Sequence, residues 1–424
     1  MDVERLLDHI LIPRPNGSTG LFETASFIEA SLRQFTPYVE LHTFSATPWG
    51  FQLLFVVALI LMLGVAAAIL LERYRFALLL IALAGILLLV ETELLWSPVS
   101  GLLRLSERNV VGVFPGVEGA PTLILSAHYD TATQFGDHFA WNHWGPAMGP
   151  AAAGAAILAI AGLRRRGRGK RVSRRVAIPV LALSLAPFGV MAWFFSAGPL
   201  LQVASPGALD NGGSVAVLLR LAERVASRSP DAPTTVKLVF FAAEEERALG
   251  SWRYAEAIDP ATRVAVINLE TLGTSEPIGY VPEEGFQLRR YGPSADLLDL
   301  ADEVARATSG RPIQPVTVPR ACVTDARSFL ERGIPALTLM GPSQGALPRH
   351  LHSHRDDESR LSLRALEEAV AFLEALIIRI DRNPEVFSAQ RAAQQAAEAD
   401  GRGLRLNGRR SSTRGVVALR AAAA

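Results

Sequence analysis

The sequence predicts an α/β protein: a mixed, mainly parallel sheet flanked by helices, interrupted by two transmembrane helical hairpins. Three observations carry this. Half of the 424 residues are hydrophobic, a share that soluble chains usually reach only when glycine is counted as well. The excess is concentrated in four long segments. The remainder alternates short apolar runs with amphipathic stretches, the order expected of buried strands joined by helices. Lysine plus arginine (42) nearly equals aspartate plus glutamate (41), so no overall basic excess points to nucleic acid. The one cysteine, Cys322, excludes an intrachain disulfide framework and a Cys-rich zinc module.

Phe51 to Leu71 is a 21-residue run without a charge, long enough at about 1.5 Å per residue to cross a hydrocarbon core of roughly 30 Å. Phe76 to Trp96 follows, interrupted only by Glu91 and Glu93. Trp144 to Leu163 is richer in Ala and Gly, and Val176 to Ser196 is again uncharged. Between the last two, residues 164–175 hold eight positive charges and no acid, while the first hairpin's turn sets Arg73 and Arg75 against Glu72. Short basic loops stay in the cytoplasm, so both tips are expected inside and residues 1–49, 97–143 and 197–424 outside. The first 49 residues hold six acids and three arginines, and no cleavable leader is expected before them. The chain thus divides into the start of a catalytic domain (1–49), hairpin one (50–96), domain (97–143), hairpin two (144–196), domain (197–400) and a basic tail (401–424) expected to be disordered.

With the hairpins set aside, each domain element has its own signal. Asn16 to Phe35 carries apolar residues at helical spacing after a Gly/Ser start. Thr122 to Ala127, Val236 to Ala243, Val264 to Leu269 and Ile334 to Met340 are short apolar runs suited to buried parallel strands. Gly212 to Ala226, Ala295 to Ala307 and Leu363 to Ile380 read as amphipathic helices. Residues 382–400 extend this pattern only weakly.

The polar residues of interest fall at the ends of the strands, where ligands bind in such sheets. They are His128-Tyr129-Asp130, Asp210-Asn211, Glu244-Glu245-Glu246, Glu270 and the segment from His350 to Asp357. Two histidines and three carboxylates can hold two divalent metals with one carboxylate between them. Imidazole and carboxylate without thiolate suit zinc, with manganese or cobalt as competitors.

These motifs resemble the di-zinc aminopeptidase family, which includes bacterial leucyl aminopeptidases, with glutamate carboxypeptidase and the transferrin receptor as relatives. SAHYDT, GALDNGGSVAVLLRLAE, FFAAEEERALGS, INLETLG, TDARSFLERGIPAL and HSHRDD occur in the family's order. The resemblance implies that His128 and Glu270 hold one zinc, Glu245 and His352 the other, and that Asp210 bridges them. It implies that Glu244 is the general base taking a proton from the attacking water, that Asp130 orients His128, and that the Asp210–Asn211 peptide is cis. Asp325 also matches a family position, with no role assigned. The implied activity is that of a membrane-anchored exopeptidase, most simply an aminopeptidase, acting on peptides outside the cell membrane.

Two positions depart from the family pattern. Glu270 stands where aspartate is usual, and His352-Ser353-His354 replaces His-Thr-Pro, which makes His350 and His354 rivals of His352. Three other readings compete: a single-zinc glutaminyl cyclase, a non-catalytic ectodomain of the same fold, and a serine hydrolase built on Gly341-Pro342-Ser343-Gln344-Gly345. The last lacks an acid between Ser343 and His354 and so cannot complete its triad in order. Because the second hairpin interrupts the chain between His128 and Asp210, the catalytic mouth is expected to face the bilayer, with His138, Trp141, His143 and Trp144 near the interface. Neither side-chain preference nor oligomeric state is legible.

Overall fold

The fold is described from a computed structural model, which covers residues 2–94, 96–132, 138–201, 204–259, 262–285, 289–318, 323–341 and 350–387, with the backbone alone at 138–143 and 199. The chain opens with α1 (Val3–Ile10) and α2 (Thr19–Leu32). Ser18 begins α2 by accepting a hydrogen bond from the Leu21 amide, an N-cap that satisfies a donor the helix itself leaves free. Strand β1 (Val39–Ala46) leads into the first long apolar helices, α3 (Gly50–Leu70) and α4 (Tyr74–Glu93). Strands β2 (Leu105–Phe114) and β3 (Thr122–His128) precede the second pair, α5 (His138–Arg166) and α6 (Arg174–Leu200). Then follow α7 (Gly213–Ala226), β4 (Thr235–Phe241), α8 (Leu249–Glu256) and β5 (Val264–Glu270). Short strands β6 (Gly279–Tyr280), β7 (Glu284–Gly285) and β8 (Arg290–Tyr291) lead to α9 (Ala295–Ser309). The chain continues through β9 (Gln314–Pro315), α10 (Arg327–Leu330), β10 (Ala336–Met340) and α11 (Leu363–Asp381).

Eight strands form one sheet in the order β1-β2-β4-β3-β5-β10-β6-β9. Its centre, β4-β3-β5-β10, is parallel, and β1, β2 and β6 add antiparallel pairs. The mixed, mainly parallel sheet expected from the sequence is therefore present. The apolar runs are buried at nearly every position in β3, β5 and β10, because helices cover both faces. Leu218, Leu221 and Val225 of α7 pack with Leu373 and Ile377 of α11 against Leu123, Leu125 and Ile267 on one side. Phe329 and Ala326 pack against Ile124, Val239 and Val266 on the other. Burying such side chains stabilises by roughly 1.5–3 kcal/mol each, which fixes the parallel strands and hence the shared direction of their carboxyl ends.

The four apolar helices are each long and apolar enough to cross a membrane, over Gly50–Leu70, Tyr74–Glu93, Trp144–Arg166 and Arg174–Gly198. They pack together through small residues such as Ala58, Ala155, Ala159 and Ala177, which let helices approach closely. Gly162 is the tightest case among them: a Cβ there would meet the Tyr74 ring at 2.3 Å. Ile60, Leu79, Ile86, Ile157 and Leu183 face outward and are exposed. The second helix ends at Glu93 rather than at Trp96, because the Glu91 side chain accepts the Val99 amide at 2.7 Å and the Ser100 amide at 3.1 Å and turns the chain back. The third begins at His138, ahead of the apolar run.

Both hairpin turns lie at the same end of the bundle. Arg166 donates to the Glu72 carbonyl at 2.7 Å, and Arg171 Nε lies 3.1 Å from Glu72 Oε1. At the opposite end, next to the sheet, the Phe51 and Phe195 rings stack 4.9 Å apart. The basic tail, Cys322 and Ser343 lie outside the described residues, as do the side chains of His138, Trp141 and His143.

Candidate metal and active centre

Three neighbouring parallel strands aim their last residues at one point. His128 ends β3, Glu270 ends β5, and Glu244 and Glu245 follow β4 after a short turn in which Ala243 adopts a φ of 58°. Asp210 comes from the loop before α7, which contains the cis peptide Asp210–Asn211. His352 arrives on the loop after β10 with a φ of 64°.

The residues converge on Asp210. Its Oδ1 lies 3.0 Å from His128 Nε2, and its Oδ2 lies 2.9 Å from His352 Nε2. Glu270 Oε1 is 3.5 Å from the first histidine nitrogen, and Glu245 Oε2 is 3.3 Å from the second. The ligand atoms of His128, Asp210 and Glu270 all lie within 4.8 Å of one another, and so do those of Asp210, Glu245 and His352. Among the described residues neither His350 nor His354 joins such a group. Glu244 Oε2 is 4.0 Å from His128 Nε2, beside the pair of groups but in neither.

The electrostatics suit a site that holds cations. Burial raises Glu244 well above the usual carboxylate range and pushes Glu245 up to about 8. Burial also disfavours charge on Asp210, yet His352 and His128 outweigh it and hold that group well below its ordinary value. His352 is held up at about 9 because Glu245 and Asp210 outweigh its desolvation. Glu245 Oε1 and Glu270 Oε2 are buried without a hydrogen-bond partner, although such oxygens normally have one. Two overlapping sets of one imidazole and two carboxylates fit divalent zinc, and a cation at each would satisfy both orphaned oxygens.

The residues behind these ligands hold them by the backbone. Asp130, expected to orient His128, sets its carboxylate 3.5 Å from His128 Nδ1 and its backbone carbonyl at 3.2 Å. Its two oxygens also accept the Glu244 and Glu245 amides, each at 3.1 Å, with Asn16 donating to Oδ2 at 2.8 Å. The reason is geometric: the loop after β4 passes over the end of β3 and brings its amides to this carboxylate. Asp356 does the same for the bridging residue, accepting the Leu209 amide at 2.9 Å and the Asp210 amide at 3.0 Å. Asn211 ties that loop to Glu270's strand, donating to the Leu269 carbonyl at 2.9 Å and accepting the Thr271 amide at 3.1 Å.

Arg14 is the largest surprise. This fully buried arginine donates to the carbonyls of Tyr129 (2.6 Å), Ile10 (2.7 Å), Ile12 (3.1 Å), Pro206 (2.6 Å) and Gly207 (2.9 Å). Burial lowers its pKa to about 10 against the pull of Asp130, Asp356 and Asp210, which still leaves it charged. It clamps the loop after His128 to the loop before Asp210, so the first residues of the chain are part of the site's frame. Asp325 is buried, its carboxyl pushed up to about 8 by burial against the pull of His128.

One further contact joins the site to the long helices. Glu246, next to Glu245, accepts the Thr47 amide at 2.7 Å just ahead of α3. Arg247 donates to Ser100 Oγ at 3.0 Å, lies 3.3 Å from Glu91 Oε2 at the end of α4, and also donates to the Glu91 carbonyl.

Comparison with known proteins agrees with this geometry. Residues 191–377 match the model of peptidase family M28, a segment that contains Asp210, Glu244, Glu245, Glu270 and His352 but not His128. A zinc aminopeptidase from Bacillus subtilis shares the fold with a TM-score of 0.52 at 14% identity, over 89% of this chain and 94% of that one. The LapA aminopeptidase of Legionella pneumophila gives 0.50 at 13% identity, over 89% of this chain and 71% of that one. A glutaminyl cyclase from Porphyromonas gingivalis gives 0.48 at 15% identity, over 89% and 95%. No curated protein matches the sequence. The resemblance read from the motifs agrees with the match to peptidase family M28 over residues 191–377, and the likeness to the solved aminopeptidases shows the fold over most of the chain.

Proposed function

We propose that this chain, which carries an M28 peptidase segment, is a membrane-anchored zinc exopeptidase, and specifically an aminopeptidase, that cleaves peptides outside the cell membrane. The observation that carries the reading is the sharing of Asp210: one oxygen faces His128 and Glu270, the other faces His352 and Glu245. His128 and Glu270 would hold one zinc and His352 and Glu245 a second, with Asp210 between them. Bound there, zinc lowers the pKa of water and polarises the scissile carbonyl. Glu244 takes the proton from the attacking water and passes it to the leaving amine. Its half-buried carboxylate, raised above the usual carboxylate range by desolvation, suits that exchange better than an ordinary glutamate. Asp130 fixes the Glu244 and Glu245 backbone, so base and ligand keep their spacing during the transfer.

The bilayer is the second partner. The two hairpin turns share one end of the bundle, and that end carries the basic loop 164–175, which by the positive-inside rule supports a cytoplasmic position for the turns and an outer one for the sheet domain. The test is a pair of peptides of one sequence, with free and with acetylated N-termini, given to the detergent-purified full chain. Hydrolysis confined to the free peptide is expected. Release of C-terminal residues from both would make it a carboxypeptidase, and cyclisation of an N-terminal glutamine without hydrolysis would make it a glutaminyl cyclase.

A further inference from the structure

The turn that carries Glu244 and Glu245 is gripped by two separate elements. Asp130, just past the end of β3, accepts both of their amides. The next two residues reach the first inserted hairpin instead. Glu246 accepts the Thr47 amide at 2.7 Å and the Thr47 hydroxyl at 3.2 Å, just ahead of α3. Arg247, 8% exposed, donates to Ser97 Oγ at 3.2 Å, to Ser100 Oγ at 3.0 Å and to the Glu91 carbonyl, with Glu91 Oε2 at 3.3 Å. Its guanidinium carbon also stands 5.8 Å from the centre of the Phe51 ring in the first turn of α3, within reach of a cation–π attraction. One side chain thus touches both helices of that hairpin. The two helix ends are packed there as well: a Cβ at Gly50 would meet Ser100 Cβ at 3.0 Å.

The backbone shows what this contact maintains. Ala243, Arg247 and Ala248 have φ of 58°, 70° and 56°, the left-handed region that glycine enters freely and where a Cβ crowds the chain. Such conformations persist where the surroundings over-determine them. Glycine at position 247 would make the same turn with less strain; what arginine adds is the reach to Glu91, Ser97 and Ser100. We infer that Arg247 is a positioning residue, through which the first inserted hairpin holds the turn that presents Glu244 to the attacking water and Glu245 to its metal. The inference rests on the peptidase reading above and makes the inserted helices part of the catalytic frame as well as an anchor. A reacting group displaced by about 1 Å from afar can cost about 100-fold in rate, so a tie of this kind acts on catalysis without touching substrate.

The experiment uses the full chain in detergent and the double variant Arg247→Met/Glu91→Gln, which removes both buried charges together and leaves neither unpaired. Zinc Kd is measured by competition with a chromophoric chelator, kcat and KM with a peptide bearing a free N-terminus, and folding by thermal melting. In a chain that still melts cooperatively, zinc Kd should weaken about 10-fold and kcat fall about 10–100-fold, with KM within about 2-fold. Arg247→Lys, which keeps a cation beside Glu91, should lie between this variant and the wild type. The control, Arg228→Met/Asp381→Asn, breaks a 2.8 Å ion pair at the other end of the sheet, where Thr234 precedes β4; it should leave kcat and zinc Kd within about 2-fold. Wild-type kcat and zinc Kd in Arg247→Met/Glu91→Gln, or equal losses in the control, overturn the inference. A wild-type chain that cuts no peptide, with zinc affinity still lost in Arg247→Met/Glu91→Gln, would sink the peptidase reading and leave the tie standing. Peptide cleavage at the same rate with and without the tie would do the reverse.

Discussion

Two kinds of buried carboxylate occur in this molecule, and their surroundings differ in one respect. Glu91, at the end of the second long helix, and Glu284, under β10, spend both oxygens on protein donors. Glu91 accepts from the Val99 and Ser100 amides, the Ser100 hydroxyl and Arg247. Glu284 accepts from the Thr324 hydroxyl at 2.7 Å and from the Thr338 hydroxyl. Glu245 and Glu270 are slightly less deeply placed, yet each leaves one oxygen shut off from solvent and without a partner. A buried acid with every lone pair taken joins elements of the fold. An acid with an orphaned oxygen, facing imidazole and a second acid, stores an unmet demand that only a cation or a proton relieves.

The contrast breaks first at the base. Glu244→Gln keeps the shape and removes the proton acceptor, so turnover should fall by about 10²–10⁴-fold with zinc content and melting temperature unchanged; steady-state kinetics with metal analysis checks this. On the structural side, Arg247→Met leaves Glu91 buried without its cation. That should destabilise the chain by about 3–5 kcal/mol, read by denaturant unfolding in detergent, and the double variant with Glu91→Gln should recover part of the loss. Chelation sharpens the comparison next. Removing zinc should cost about 3–4 kcal/mol if the ion is present at 100–1,000 times its Kd, with activity and thermal stability restored by zinc. The smallest effect belongs to the satisfied acid: Thr338→Val removes one donor to Glu284 and should cost on the order of 1 kcal/mol without touching the metal.

What was legible in the sequence follows from where the signal was strong. β3, β5 and β10 show as uninterrupted apolar runs because both their faces are covered, and the polar residue closing each of the first two is a site residue. β1 (VELHTFSA), the edge strand, and β2 (LSERNVVGVF) beside it were missed because they carry charge and pair antiparallel. The short helix α1 was missed because eight residues give little periodicity. Among site residues, those that touch one another were found. The work done through backbone atoms was not legible: Asp130 also holds the Glu244 and Glu245 amides, and Asp356 holds the Leu209 and Asp210 amides. Arg14 and Asn16 escaped altogether. A guanidinium that binds five carbonyls leaves no spacing pattern in the sequence, and its only trace is a single charge in the loop between α1 and α2.

The long helices show the same division. Their apolar length was plain, whereas the polar contacts at their ends, Thr47–Glu246 and Glu91–Arg247, needed coordinates because each joins residues more than 150 positions apart.

The central claim is that Asp210 is shared between two zinc sites, and zinc stoichiometry tests it most directly. Elemental analysis of the detergent-purified chain should give two zinc ions per chain, unchanged in Glu244→Gln and falling for both sites together in Asp210→Ala. One zinc in the wild-type chain, or an Asp210→Ala variant that keeps both, would contradict it.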